Sequence, residues 1–169
     1  MILGNARWLA QQASHRPVAV ALGIGDNFCR RRISDLCGRL NVRVLTAVHP
    51  SATVSPSARI STGAVILANA VVNADATIGA GAIINTAAIV EHDCYVGTFV
   101  HLSPKTTLGG GARVDDLSWL GIGSIVLPGI KIGRESIIGA GATVIHDVGD
   151  RIVVVGTPAR FLKEAVRRS

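Results

Sequence analysis

The sequence predicts a parallel β-helix built from hexapeptide repeats, preceded by a small α/β unit and followed by a short C-terminal helix. Three observations carry the prediction. Val, Ile or Leu recurs every sixth residue from Val48 through Val54 and Ile60 to Ile138 and Val144, seventeen hexads without an insertion. If about half of residues are apolar, such a run arises by chance with odds of roughly one in 10⁵. The fifth position of the hexad is small, as at Ala52, Ala58, Ala64, Ala70, Ala76, Ala82, Ala88, Cys94, Thr106, Ala112, Ser118, Ser124, Ser136 and Ala142. The second position is often glycine, at Gly79, Gly97, Gly109, Gly121, Gly133 and Gly139.

A strict period of six marks a solenoid. The branched aliphatic suits a short strand with its side chain in the core, the small residue fits a tight corner, and glycine tolerates a backbone that must bend. A β-sandwich would instead alternate with period two and place turn clusters about every 8–12 residues. Neither pattern is present.

Composition agrees with a solenoid. Of the 169 residues 49% are hydrophobic but only 4% aromatic, so the core must be stacked aliphatics. Seventeen basic against eleven acidic residues leave a net charge of +6. A nucleic-acid partner is not expected, because the aromatic interleaving of single-strand platforms is missing. Two basic clusters, Arg30, Arg31, Arg32 and Arg160, Lys163, Arg167, Arg168, read as solvated faces or as contacts to a phosphate-bearing ligand. Cys29, Cys37 and Cys94 are odd in number and lack metal-type spacing. With no signal peptide or membrane span in the pattern, they indicate a reducing cytoplasm.

Taken in order, residues 1–16 are weakly helical around Trp8 and Leu9. Residues 18–22 form an apolar run of strand length, followed by the turn Gly23-Ile24-Gly25-Asp26-Asn27. Phe28, Ile33, Leu36, Cys37 and Leu40 then lie at helical spacing, and residues 42–48 read as a second strand. Asp26 or Asn27 caps the helix. A glycine turn opening a helix is a place for phosphate, although this one lacks the full dinucleotide fingerprint and reads equally as a tight connection. The chain thus divides into an α/β unit, 1–47, and a β-helix domain, 48–169. His49-Pro50-Ser51-Ala52 marks entry to the repeat, which ends near 147–150. A last strand follows at 151–155, a turn at 156–160, and an amphipathic helix at 161–168 that caps the solenoid.

Three hexads make one triangular coil, so residues eighteen apart should stack on neighbouring coils, about 4.8 Å apart. This spacing sets Glu91-His92-Asp93 beside Gly109-Gly110-Gly111 on one side and Asn73-Ala74-Asp75 on the other. His92, flanked by two carboxylates, faces a floor without side chains where a ligand can lie against backbone. Its neutral-range pKa suits a general base; the same position also reads as an exposed corner residue. Asp93 can orient His92 only if a corner redirects it, because adjacent strand residues point to opposite faces. His101 should neighbour Trp119 and Ile83. His49 and His146 read as structural or solvent-facing, and packing accounts for Cys94.

The array, with HPSA at 49–52, NTAAIVEHDC at 85–94, VGTFVHLSP at 96–104, IGAGATV at 138–144, VGTPAR at 155–160 and VALGIGDNFCRRRI at 20–33, resembles one family over nearly the whole chain. That family is the left-handed β-helix sugar acyltransferases of the sialic-acid O-acetyltransferase and UDP-4-amino-sugar N-acetyltransferase type. The resemblance implies an acetyl-CoA-dependent transfer to an amino group or hydroxyl of a nucleotide-linked sugar, in a homotrimer with active sites between neighbouring β-helices and with no metal. It implies that His92 is the base and that Asp93 raises its basicity. It further implies that His101, Gly110, Ile122 and Ala140 line the acetyl-CoA track and that Gly23 contacts the sugar nucleotide. Asn73 and Asn85 are candidate substrate-binding residues. The family often has glycine where Ala140 stands. Its chains normally open with a strand and glycine-rich turn that hold the nucleotide; Met1 falls after that point, so the α/β unit reads as truncated.

Two other functions remain open at this level. A metalloenzyme resembling the γ-class carbonic anhydrases needs three histidines around zinc; His92 and His101 lie nine apart without an obvious third. A non-catalytic binding scaffold is the other.

Overall fold

The protein is described here by a computed structural model covering residues 6–166. Two helices, α1 (Ala6–His15) and α2 (Asn27–Arg39), flank the short strand β1 (Ala19–Val20). β1 pairs in parallel with β2 (Arg43–Val44), Ala19 opposite Arg43. Asp26 caps α2, its Oδ1 accepting from the Cys29 N–H at 2.8 Å, which satisfies one of the orphan donors of the first turn. The expected strand at 42–48 is two strands, because Ala47–Val48 already pairs with Val65–Ile66 of the next coil. Residues 1–5 of the weak N-terminal helix lie outside the described residues.

From Ala47–Val48 to Thr143–Val144 every hexad contributes one two-residue strand. Its second residue is the periodic aliphatic, pointing inward; its first points outward. Strands pair in parallel with partners eighteen residues away: Tyr95 with Thr77 and Arg113, His101 with Ile83 and Trp119, Ile89 with Val71 and Thr107. The result is a three-sided left-handed β-helix. We name its faces by their outward residues: the His101 face, the Ile89 face and the Tyr95 face, in the order the chain visits them.

The core is a set of aliphatic columns. Ile84, Val90, Val96, Leu102, Leu108 and Leu120 are fully buried, each contributing about 1.5–3 kcal/mol on leaving water. The small fifth-position residues are buried with them, from Ala64 to Ala142. They fill the inner corners where two faces converge; Val100 is a larger residue buried at the same position. Polar corner residues answer the next coil: Cys94, Thr106 and Ser118 donate to the carbonyls of Gly109, Gly121 and Gly133.

The sharp bend of each corner falls at the fourth hexad position. From Gly63 to Gly141 every residue at that position has positive φ, eight of the fourteen being non-glycine. The second-position glycines do something else. A Cβ on Gly109 would lie 2.6 Å from the Pro128 nitrogen on the adjacent coil, so these glycines admit close coil-to-coil approach rather than a bend.

At the C-terminal end Ile152–Val155 joins the His101 face beside Ile137–Ile138. The helix expected at 161–168 does not form there: Arg160–Glu164 is an antiparallel strand on Ile152–Val155. The last coil leaves an unpaired edge, and a returning strand satisfies its ladder. All five residues are exposed, the apolar Phe161 and Leu162 among them. Arg167 and Arg168 of the basic cluster lie outside the described residues. Among the described residues no helix is long and apolar enough to cross a membrane.

Candidate active site

His92 and Asp93 occupy the corner between the Ile89 and Tyr95 faces. Asp93 is a fourth-position residue with φ +59°, and this left-handed turn swings its carboxylate back toward its neighbour. The His92 Nδ1–H donates to Asp93 Oδ2 at 2.8 Å. That bond raises the His92 pKa above the ordinary 6.5; desolvation opposes it, and the Asp93 and Glu91 charges add smaller upward contributions. Nε2 retains its lone pair.

The coil above supplies the floor. A Cβ built on Gly110 would lie 2.6 Å from His92 Nε2, so the imidazole rests where only glycine leaves room. The His92 carbonyl accepts from Gly111 N–H at 2.8 Å, and Asp93 N–H donates to the Ala74 carbonyl at 3.0 Å. The backbone of the pair is therefore pinned from both sides. Asn73 Nδ2 donates to Glu91 Oε2 at 2.9 Å. Cys94 is buried, its Sγ on the Gly109 carbonyl.

His101 lies on the opposite side of the prism, on the face across from the His92 corner. Its Nδ1–H donates to the Gly25 carbonyl at 3.1 Å, and Nε2 pairs with Asn85 Nδ2 at 3.0 Å. Burial pushes its pKa below 6.5, and the charge of Arg30 lowers it further against the raising effect of the Gly25 bond. Both ring nitrogens are occupied, so His101 is no general base. Gly23 sits on the same N-terminal loop, with open space where a Cβ would stand. Ile122 and Ala140 stack at a third location, the corner between the His101 and Ile89 faces, where Gly141 N–H donates to the Ile122 carbonyl at 2.8 Å. The nine residues expected at the site thus fall into three groups, and one chain does not bring them together.

Sequence reasoning missed Arg30 and the cavity beside it. The sequence groups Arg30 with Arg31 and Arg32 as solvated or phosphate-facing; it is instead fully buried, because its guanidinium satisfies carbonyls in both halves of the protein. Arg31 stacks over Phe28 at 5.5 Å. Asn27 is buried too, its Nδ2 donating to the Leu117 and Ser118 carbonyls, each at 3.0 Å. The GDN…R spacing, a cap followed by polar residues on the same helix turn, was the available signal. A cavity of about 370 Å³ opens between the loop at Gly25 and Asp26 and the outward side chains His101, Trp119 and Ile137, with Glu135 and Arg151 at its rim. Among the described residues no group of three His, Cys, Asp or Glu side chains is placed to hold a metal ion.

No family model matches the chain. Solved structures do. Perosamine N-acetyltransferase from Caulobacter crescentus, a histidine-to-asparagine variant in complex with CoA and GDP-perosamine, superposes with a TM-score of 0.93 and 36% identity, covering 96% of this chain and 78% of that one. The chain belongs to the hexapeptide-repeat sugar acyltransferases. A second solved structure, the acetyltransferase domain of PglB from Neisseria gonorrhoeae in complex with acetyl coenzyme A, gives a TM-score of 0.89 and 36% identity over 95% of this chain and 78% of that one. Galactoside O-acetyltransferase from Lactococcus lactis is 37% identical over 84 residues, 39% of this chain and 41% of the relative. The chain therefore spans less than half the length of this curated relative.

Proposed function

We propose that this protein moves an acetyl group from acetyl-CoA to the amino group of a nucleotide-linked sugar, with His92 as general base. One observation carries the reading: Asp93 occupies Nδ1 of His92 and leaves Nε2 free above the side-chain-free backbone of Gly110. In the reaction the acceptor nitrogen attacks the thioester carbonyl. A C–N bond forms, the C–S bond breaks, His92 takes the proton from the nitrogen, and that proton leaves with the CoA thiolate. Proximity and one base are sufficient chemistry. Asp93 keeps the ring in the tautomer that accepts at Nε2 and stabilises the imidazolium. One neighbour that covers most of this chain is named as a perosamine N-acetyltransferase, which favours an amide over an ester product, and another is in complex with acetyl-CoA.

The homotrimer belongs to this proposal, and so does a site shared between copies. His92 of one chain stands opposite its own His101 face, so it meets the His101, Asn85 and Gly23 group only across a subunit boundary. The Ile89 face suits that packing: its outward Val71, Ile89 and Ile125 are apolar, with Thr107 between Ile89 and Ile125 and with Thr53 and Thr143 at the two ends. In this arrangement Gly110, Ile122, Ala140 and His101 border the acetyl-CoA track. Gly23, Asn73 and Asn85 face the acceptor, and residues 1–47 serve as the sugar-nucleotide unit of the β-helix domain, 48–169. Free Cys29, Cys37 and Cys94 fit a reducing cytoplasm.

The test is CoA release from acetyl-CoA, followed by thiol titration, across a panel of nucleotide-linked amino sugars. Release that requires both a sugar and His92 is the expected result. Acetyl-CoA binding without release for any acceptor would remove the acceptor assignment; absence of acetyl-CoA binding would remove the reading altogether.

A further inference from the structure

The N-terminal unit reaches His101 through the carbonyl of Gly25, and a single buried side chain holds that carbonyl. Arg30 Nη1 donates to the Gly25 and Ile24 carbonyls at 3.1 and 2.8 Å. Its other donors go to Asn27 Oδ1 at 2.9 Å, to the Gly81 carbonyl at 2.7 Å and to the Phe99 carbonyl at 2.9 Å. One guanidinium therefore fixes the Gly25 loop relative to the β-helix coil that carries His101.

The consequence for His101 follows from donor and acceptor roles. A carbonyl only accepts, so the proton of the neutral ring sits on Nδ1. Nε2 then accepts from Asn85, whose own Oδ1 is occupied by the Thr86 N–H at 2.7 Å. Every role from Arg30 to Thr86 is set. Protonating His101 would turn Nε2 into a donor facing the Asn85 donor, and the amide could flip only by losing Thr86. The two histidines of the acyltransferase reading thus sit in opposed environments. His92 has a carboxylate on Nδ1 and an open Nε2; His101 has a carbonyl on Nδ1 and an occupied Nε2.

We propose that Arg30 is a positioning residue: by holding the Gly25 carbonyl against Nδ1 it keeps His101 as the neutral Nδ1–H tautomer, so that the shared cleft contains one base rather than two. The proposal rests on the acyl-transfer reading for its purpose, but not for its geometry. A cationic His101 would repel an ammonium acceptor, and one with a free lone pair would compete with His92 for its proton. Arg30 also opposes protonation of His101 by its charge. Asp26, Glu135 and Arg151 line the cavity beside the same ring and are the other charges in its surroundings.

The test is ¹⁵N-histidine NMR on the full chain in its native assembly, with the His101 signals assigned by His101→Gln. Wild type is expected to give the Nδ1–H tautomer at neutral pH and to charge only below the ordinary value of about 6.5. In Arg30→Lys, with fold and assembly checked by circular dichroism and sedimentation, the Nε2–H form should gain population. The His101 titration should rise toward about 6.5, and a second ionisation should enter the pH profile of kcat/KM. If Arg30→Lys does not fold, Asn85→Leu decides: it removes the partner of Nε2, leaves the Arg30–Gly25 hold, and should retain the Nδ1–H form. An Nε2–H tautomer in wild type or in Asn85→Leu would overturn the proposal, as would an unchanged His101 spectrum in folded Arg30→Lys. The tautomer is read without turnover, so failure of the CoA-release assay bears on the transferase reading and not on this one.

Discussion

Asp93 accepts the Nδ1–H of His92 at 2.8 Å although the two residues are adjacent in sequence. On a flat strand their side chains would diverge. The corner brings them together, because from Gly63 to Gly141 the fourth hexad position takes positive φ and Asp93 adopts +59°. A non-glycine residue in that region is strained on its own; here the coil above and the coil below impose it. The orienting carboxylate is thus a product of the repeat, with one acidic residue placed where the solenoid already bends.

Asp93→Asn should therefore change the pH profile and not only the rate. The proposed base must be neutral to act, so activity should rise with pH through the His92 pKa, which the Asp93 bond holds above 6.5. Removing the carboxylate should move the acid limb of kcat/KM to lower pH and depress the plateau, by less than His92→Ala, whose loss should be roughly 10²–10⁴-fold. A pH–rate series on both variants measures this. An acid limb that stays in place in Asp93→Asn would separate the carboxylate from the base.

Gly110→Ala introduces a Cβ 2.6 Å from His92 Nε2. Gly110 is not among the positive-φ residues, so alanine is tolerated by the backbone and the imidazole must move instead. A displacement of this order should cost about 10²-fold in kcat with little change in thermal midpoint. Steady-state kinetics beside a melting curve distinguish the two effects.

Two buried serines should respond in opposite ways. Ser118 Oγ donates to the Gly133 carbonyl at 2.6 Å and accepts from Ser136 N–H at 3.1 Å, so Ser118→Ala strands two buried backbone groups at about 1–3 kcal/mol. Ser124 Oγ is buried without a partner, and alanine already fills the same corner position at Ala142. Ser124→Ala should be neutral or stabilising. Denaturant midpoints of the two variants check the contrast.

Ile125 points outward from the Ile89 face and is 42% exposed in the single chain. If the Ile89 face forms the proposed trimer, Ile125→Glu should dissociate it and abolish transfer together, leaving the β-helix circular dichroism intact, since the side chain lies outside the core. Sedimentation velocity reads the assembly. A trimeric Ile125→Glu protein would place the subunit boundary on another face.

The sequence by itself determined the solenoid. Six-residue periodicity is a local property, repeated seventeen times, and it specifies strand, corner and three-hexad coil with little need for long-range information. From the eighteen-residue spacing it also placed His92 beside Gly110 and His101 beside Trp119 and Ile83, as the register confirms. Tertiary structure decided what periodicity cannot encode. Arg30 carries the same side chain as Arg31 and Arg32, and only the docking of α2 on the β-helix supplies the carbonyls at Gly81 and Phe99 that bury it. The residues 160–164 carry no pattern that demands a strand; an unpaired edge on the last coil makes them one. His92 and His101 lie nine residues apart, which in this repeat is one and a half faces, so the geometry of the prism sets them on opposite sides. Local patterns fix which way each residue faces. What each face meets depends on contacts between parts distant in sequence, and those are settled only when the chain folds.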